Sequence, residues 1–315
     1  MGFFDLLSRA APRSLRAKRA SARDDDLFDD EFQRKLDYLA VVSRRVFAGA
    51  SRAERRTKKT GSGVEFADHR DYTPGDDLRY LDWHAYMRFG RLLLRLYEEE
   101  EDLSIYFLLD CSSSMAFGDA EKLRYAKRLT AALAYVGLAN LDRVTIVTAT
   151  DELSGRMPET RGKQRIFRVF RFLQGVEGEG RTDLAASLRT FVAQHKRRGL
   201  AVLVSDLYDQ KSFEEGINVL RYAKFEPFVL HVVDESERKP TLKGDVRVYD
   251  CETGEEREVT VTDKVLDRYA KAWDDYLAEV QRFCVKKQVA YFRADVEVPF
   301  DELILRVFRK GGFLR

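Results

Sequence analysis

The sequence predicts an α/β protein built on a doubly wound, mainly parallel sheet, and three observations carry that expectation. From Ser104 onward, short apolar runs alternate with longer stretches of helical periodicity. The runs Ile105–Leu109 and Leu200–Val204 are apolar throughout, as strands covered on both faces are. Each run then gives way to polar residues, Asp110 and Ser205-Asp206, as strands do where they open into loops at the carboxyl edge of a sheet.

Taken in order, residues 1–26 are basic and contain many Ala and Ser, which reads as a flexible tail. Residues 27–102 are expected to form a helix followed by an aromatic, turn-rich β extension. Asp29 or Asp30 caps the helix, whose apolar positions Phe32, Leu36, Leu39, Val46 and Phe47 recur at helical spacing. The basic stretch Arg44–Lys59 has no interleaved aromatics for base stacking. It therefore reads as a solvated helix end and linker more than as a nucleic-acid site. Thr73-Pro74-Gly75-Asp76 is a type II turn, with Pro fixing φ at its second position and Gly supplying positive φ at its third. Gly90 leads into a strand, Leu92–Tyr97, and the acidic run Glu98–Asp102 reads as a solvated connector. The aromatic residues Phe66, Tyr72, Tyr80, Trp83 and Tyr86 are expected to anchor this segment by packing on the sheet domain.

Residues 103–315 are the α/β domain. Strands are expected at Ser104–Asp110, Arg143–Ala149, Leu153–Pro158, Leu200–Ser205, Glu226–Val233 and Gln288–Arg293. Helices are expected over about Ala120–Leu138, Arg165–Leu173, Asp183–His195, Ser212–Ala223 and Asp263–Lys286, with a last one from near Pro299 to Gly311. A small β-hairpin insertion occupies about 240–262, turning at Thr253-Gly254.

Composition narrows the function classes. Charged residues make up 34% of the 315, above the usual ~25%, so many charges lie on helix faces and loops. The net charge is only +2, but residues 1–62 carry 15 Lys/Arg against 9 Asp/Glu. That asymmetry suits docking to an acidic partner surface, but reads first as a solvated helix and linker. Three scattered cysteines and four histidines without ligand spacing argue against a disulfide framework or a structural zinc site, and the histidines read as structural. No apolar run reaches the ~20 residues of a membrane span, and the expected location is cytoplasmic.

The chemistry concentrates at Asp110-Cys111-Ser112-Ser113-Ser114, a D-x-S-x-S pattern directly after a buried strand. Thr182, in a loop entering a helix, and Asp206, at a second strand end, can join it on one sheet edge. Carboxylates and hydroxyls are hard oxygen ligands, so this set suits Mg²⁺ (or Mn²⁺) and leaves a coordination position for an outside ligand. Two rival chemistries fit less well. Gly175–Thr182 nearly matches a phosphate-binding loop, but Arg181 replaces its lysine and the preceding element reads as a helix. A Mg²⁺-dependent phosphohydrolase of haloacid-dehalogenase type needs a second acid where Ser112 stands, and a hydroxyl serves poorly there.

The five positions Asp110, Ser112, Ser114, Thr182 and Asp206 resemble the metal-ion-dependent adhesion site of von Willebrand factor A domains. The block Gly63–Trp83, GVEFADHRDYTPGDDLRYLDW, resembles the signature of the bacterial domain-of-unknown-function fifty-eight family, which joins such a block to a von Willebrand A-like, Rossmann-like domain. The resemblance covers about Asp29 to the C-terminus. It implies a metal-dependent protein-interaction module, without enzymatic activity, whose bound cation is completed by a partner's acidic residue. It also implies a MoxR-type AAA+ ATPase as partner, in complex assembly or chaperone-like action. Many members carry N-terminal membrane helices; this chain looks like the soluble branch.

Overall fold

The computed structural model describes residues 27–54, 56–59, 65–100, 103–117, 121–252 and 254–309. The basic tail expected over 1–26 lies outside the described residues, as does Thr253 of the expected hairpin turn. The described residues divide into two compact units, one of residues 44–102 and one of the residues up to 43 and from 103 to 309. The division falls inside the first helix, α1 (Asp30–Glu54), rather than ahead of it.

In the smaller unit, β1 (Arg56–Lys59), β2 (Glu65–Asp71) and β3 (Leu93–Glu100) form an antiparallel sheet in the order β1-β3-β2. Two expectations are corrected here. The end of the stretch Arg44–Lys59 is a strand, not a linker, and the acidic run is not a free connector. Arg56 through Lys58 register against Glu100 through Glu98, so the backbone of both segments goes into ladder hydrogen bonds. Between β2 and β3 the expected turn is present, with Asp76 N–H donating to the Thr73 carbonyl (3.0 Å) and Gly75 at φ +111°. The hydroxyl and N–H of Thr73 and the guanidinium of Arg70 donate to the Asp76 carboxylate and hold its pKa down at about 2.

A short helix, α2 (Trp83–Phe89), follows; its length is below what periodicity reveals. Asp82 caps it by accepting from the N–H groups of His84 and Ala85, and Gly90 ends it in the left-handed region at φ +68°. Asp82 also meets His69 Nε2 at 2.9 Å, so this histidine has a partner that the sequence did not reveal. In the aromatic block Phe66, Trp83 and Tyr86 are exposed, and Tyr72 and Tyr80 are half-buried.

The larger unit has a six-stranded sheet. Its strands are β4 (Ser104–Asp110), β5 (Arg143–Ala149), β6 (Leu153–Thr160), β7 (Leu200–Ser205), β8 (Glu226–Val233) and β11 (Ala290–Asp295), in the order β11-β8-β7-β4-β5-β6. All pair in parallel except the edge strand β6. β4 and β7 are buried at every position, which explains their unbroken apolar runs. The intervening helices are α3 (Glu121–Ala139), α4 (Ile166–Gln174), α5 (Leu184–Gln194), α6 (Gln210–Tyr222), the single turn α7 (Glu235–Arg238), α8 (Asp263–Lys286) and α9 (Phe300–Arg309). A hairpin of β9 (Gly244–Tyr249) and β10 (Glu256–Val261) precedes α8.

Helices cover both faces of the sheet. On one face Leu188, Phe191, Phe213, Ile217, Tyr269 and Trp273 form a single apolar cluster with the inward residues of β4, β7 and β8. α3, buried along nearly its whole length, packs with α4 and α9. The first turn of α1 and the residues just before it join them: Phe28 stacks on Phe170 (4.4 Å between centroids) and Phe32 packs against Phe300 (4.7 Å).

Candidate cation-binding site at the switch point

The strand order reverses between β4 and β7, which are neighbours in space although two strands and three helices separate them in sequence. A crevice opens at the carboxyl ends of two such strands because their connections leave in opposite directions. Asp110 ends β4, and Asp206 directly follows β7.

Asp110 is fully buried and spends both oxygens inside the protein. Oδ1 accepts from the Ser112 N–H (3.0 Å), and Oδ2 accepts from the Ser205 hydroxyl (2.5 Å). It thus shapes the loop after β4 and ties that loop to the end of β7. Burial, and then the charge of Asp206, push its pKa up to about 7. The hydroxyls of Ser112 and Ser114 stand 3.0 Å apart, both buried. The loop that follows α4 closes over this turn: Ser113 N–H donates to the Gly180 carbonyl (3.1 Å) and Glu179 N–H to the Cys111 carbonyl (2.9 Å). A Cβ on Gly178 would lie 2.4 Å from the Ala116 Cβ, so only glycine allows this approach.

Asp206 is 2% exposed. Its Oδ2 accepts from Lys122 Nζ at 2.8 Å, while its Oδ1 has no hydrogen-bond partner among the described residues. A buried carboxylate oxygen without a donor is costly unless something outside the protein meets it. The backbone just beyond is constrained, with Leu207 at φ +57°, a left-handed conformation unfavourable for a leucine. The Ser205 hydroxyl, accepting from Leu207 N–H (2.9 Å), and the Tyr276 hydroxyl, donating to the Leu207 carbonyl, hold it there. His231 braces the same turn. A carbonyl only accepts, so Nε2–H donates to the Asp206 carbonyl (3.0 Å) and Nδ1 accepts from the Tyr291 hydroxyl (2.9 Å). Burial holds the ring neutral, with its pKa pushed down to about 4. His231 thus has two partners where the sequence suggested none.

Lys122, in the first turn of α3, is the group that sequence reasoning missed. Its ammonium is buried between Asp206 (2.8 Å) and Glu237 of α7 (2.7 Å) and lies 4.7 Å from the centre of the Tyr208 ring. Tyr208 in turn donates its hydroxyl to Glu237. Burial works against the Lys122 charge, but the two carboxylates outweigh it and raise its pKa. A lysine beside Leu123 and Ala126 on an otherwise apolar helix reads in sequence as a side chain that snorkels, so no signal marked it.

Of the five expected ligands, Asp110, Ser112 and Ser114 share one turn, and the Asp110–Ser205 bond brings that turn to the strand end that bears Asp206. Thr182 is engaged elsewhere: its hydroxyl donates to Glu252 Oε1 (2.9 Å) and its N–H to Glu252 Oε2 (3.2 Å). Glu252 sits at the tip of the β9–β10 hairpin. Among the described residues no group of three or more His, Cys, Asp or Glu side chains is arranged to hold a metal ion. This cluster relies on hydroxyls instead. The free Asp206 oxygen and the paired serine hydroxyls are the hard donor set that a small divalent cation takes, so these residues fit Mg²⁺ or Mn²⁺. The gly-rich loop before Thr182 follows a helix, α4, as a phosphate-binding loop would not.

The family described as "Protein of unknown function DUF58" matches residues 68–278. An uncharacterized protein of Mycobacterium bovis is 26% identical over 262 residues, 82% of each chain. An uncharacterized protein of Mycobacterium avium is 30% identical over 136 residues, 43% of this chain and 78% of its own. Two solved structures align with 66% of this chain and 99% of their own. One is the conserved hypothetical protein BatB from Bacteroides thetaiotaomicron (TM-score 0.40, 14% identity). The other is an aerotolerance-related membrane protein from Bacteroides fragilis (TM-score 0.38, 15% identity). The cytoplasmic location expected from the sequence is withdrawn. Hydropathy had carried it, and hydropathy bears only on spans: no helix among the described residues is long and apolar enough to cross a membrane.

Proposed function

We propose that this chain, which belongs to the DUF58 family, is a cation-dependent protein-interaction module with a von Willebrand A-like sheet domain. Asp206, Ser112 and Ser114 would hold Mg²⁺ (or Mn²⁺) directly, Asp110 would supply charge and fix the serine turn, Thr182 would join on release from Glu252, and the cation would supply an open coordination position for an acidic side chain of the partner. The observation that carries this reading is the buried Asp206 oxygen without a donor, beside the Ser112–Ser114 pair at the switch point. The strand order supports the von Willebrand A-like part: counting β4 as the first strand, it runs 3-2-1-4-5-6, with the third antiparallel.

The phosphohydrolase alternative is weaker. A nucleophilic carboxylate needs an open face, whereas Asp110 is fully buried with both oxygens bonded. The partner class we propose is a MoxR-type AAA+ ATPase, and the role is complex assembly or chaperone-like action. Co-purification of the full chain with such an ATPase, with and without EDTA, tests this. Retention that depends on Mg²⁺ and is lost with Ser114→Ala supports it; retention indifferent to both removes the cation from the mechanism.

A further inference from the structure

The aromatic block offers a second surface, distinct from the strand-end site. α2 is rigidly placed: Asp82 caps its start with two hydrogen bonds, Gly90 ends it, and Leu81 bridges to Leu94 of β3. Ala85 is its buried contact. Its other large side chains point outward, with Met87 75% exposed, Phe89 65% and Trp83 55%, and Tyr86 packs edge-on to Trp83 at 6.3 Å. A fixed element that leaves this much apolar area in water marks an interaction site.

The chemistry of the patch says what would cover it. Nearby acids are already taken: Asp76 by Arg70, Asp77 by Arg79, and Asp82 by His69 and Arg95. Arg88 and Arg91 are exposed and have no ion-pair partner among the described residues. The patch therefore presents two uncommitted guanidiniums set among Trp, Tyr, Met and Phe. That is the composition of the buried centre of protein–protein interfaces, rich in aromatics, Met and Arg and poor in Lys, Glu and Asp. A lipid surface fits less well. Interfacial anchors draw on net positive charge, and residues 44–102 hold twelve Lys/Arg against twelve Asp/Glu.

We propose that Trp83, Tyr86, Met87, Arg88, Phe89 and Arg91 form a docking surface for a protein segment whose carboxylates are flanked by apolar side chains. The carboxylates would take Arg88 and Arg91 in forked hydrogen bonds, and the apolar side chains would cover Trp83 and Met87. This contact does not involve the cation.

The test is a random-peptide display selection against the full chain in EDTA. It is followed by affinity measurement of an enriched peptide with Met87→Ala and with Arg88→Glu/Arg91→Glu, whose folding is checked by circular dichroism. Enriched peptides should combine Asp or Glu with Leu, Phe or Trp, and each variant should weaken binding by about tenfold or more. Three results would overturn the proposal. One is enrichment without acidic residues, or binding indifferent to both variants. Another is partition onto phosphatidylserine-containing vesicles that both variants abolish. The third is concentration-dependent self-association of the full chain lost in Met87→Ala, which would make the occupant a second copy.

Discussion

Lys122→Met is the most informative single substitution in the larger unit. It keeps the approximate length of the side chain and removes the ammonium that Asp206 and Glu237 share and that lies over the Tyr208 ring. Both carboxylates are almost entirely buried, and no other cation is seen to pair with either among the described residues. Taking one partner from a buried pair costs about 3–5 kcal/mol, because the remaining charge stays out of water without compensation. With two carboxylates resting on one ammonium, the upper half of that range is expected. At roughly 2–4 °C per kcal/mol for a domain of this size, the melting temperature falls by about 10 °C or more. Urea denaturation followed by far-ultraviolet circular dichroism, with an unchanged m-value, reads the loss directly. Saturating Mg²⁺ should restore part of it, since a divalent ion at Asp206 offsets the same charge. A loss below about 1 kcal/mol, within the range of surface pairs, would refute the claim that this network is dry and coupled.

Other expectations follow from the same geometry. In the absence of divalent cations, Asp110 should lower stability as pH rises from about 4 to about 7, against the opposite contribution of His231, whose pKa is held down at about 4. Asp110 has its pKa raised from 3.8 to about 7 in the folded chain, so the unfolded chain releases its proton first and gains from each step up in pH. Denaturation series at fixed ionic strength should show this contribution as the difference between the unsubstituted chain and Asp110→Asn, and Ser112→Ala, which leaves Asp110 in place, should retain it. Gly178→Ala should cost roughly 1–3 kcal/mol and loosen the serine loop, because the new Cβ meets Ala116 at 2.4 Å and Leu123 at 3.1 Å; a neutral effect would mean that the loop shifts freely. Co-purification with the ATPase should be lost with EDTA, while binding of a display-selected acidic peptide at α2 should not.

The parts of this structure legible in the sequence are those with strong local patterns. β4 and β7 read as buried strands because both of their faces are covered, so no polar residue interrupts them. Asp110, Ser112 and Ser114 were visible because one tight turn contains all three. What the sequence did not show depends on long-range meetings. The Lys122–Asp206 pair spans 84 positions and the Thr182–Glu252 pair 70, and neither has a local signature. In the smaller unit the strand Leu92–Tyr97 was legible, but β1 and the end of β3 escaped notice because they are runs of like charge, which read as solvated when taken singly. Only their register against each other makes them a ladder. α2 was missed for its length, seven residues being too few to establish a period.

The cation at the switch point is the central claim of the proposed function, and titration calorimetry with Mg²⁺ and Mn²⁺ tests it most directly. The purified full chain should bind one divalent ion, and Asp110→Ala and Ser114→Ala should each abolish the heat while remaining folded by circular dichroism. Absence of binding in the unsubstituted chain, or equal affinity in all three proteins, would contradict it.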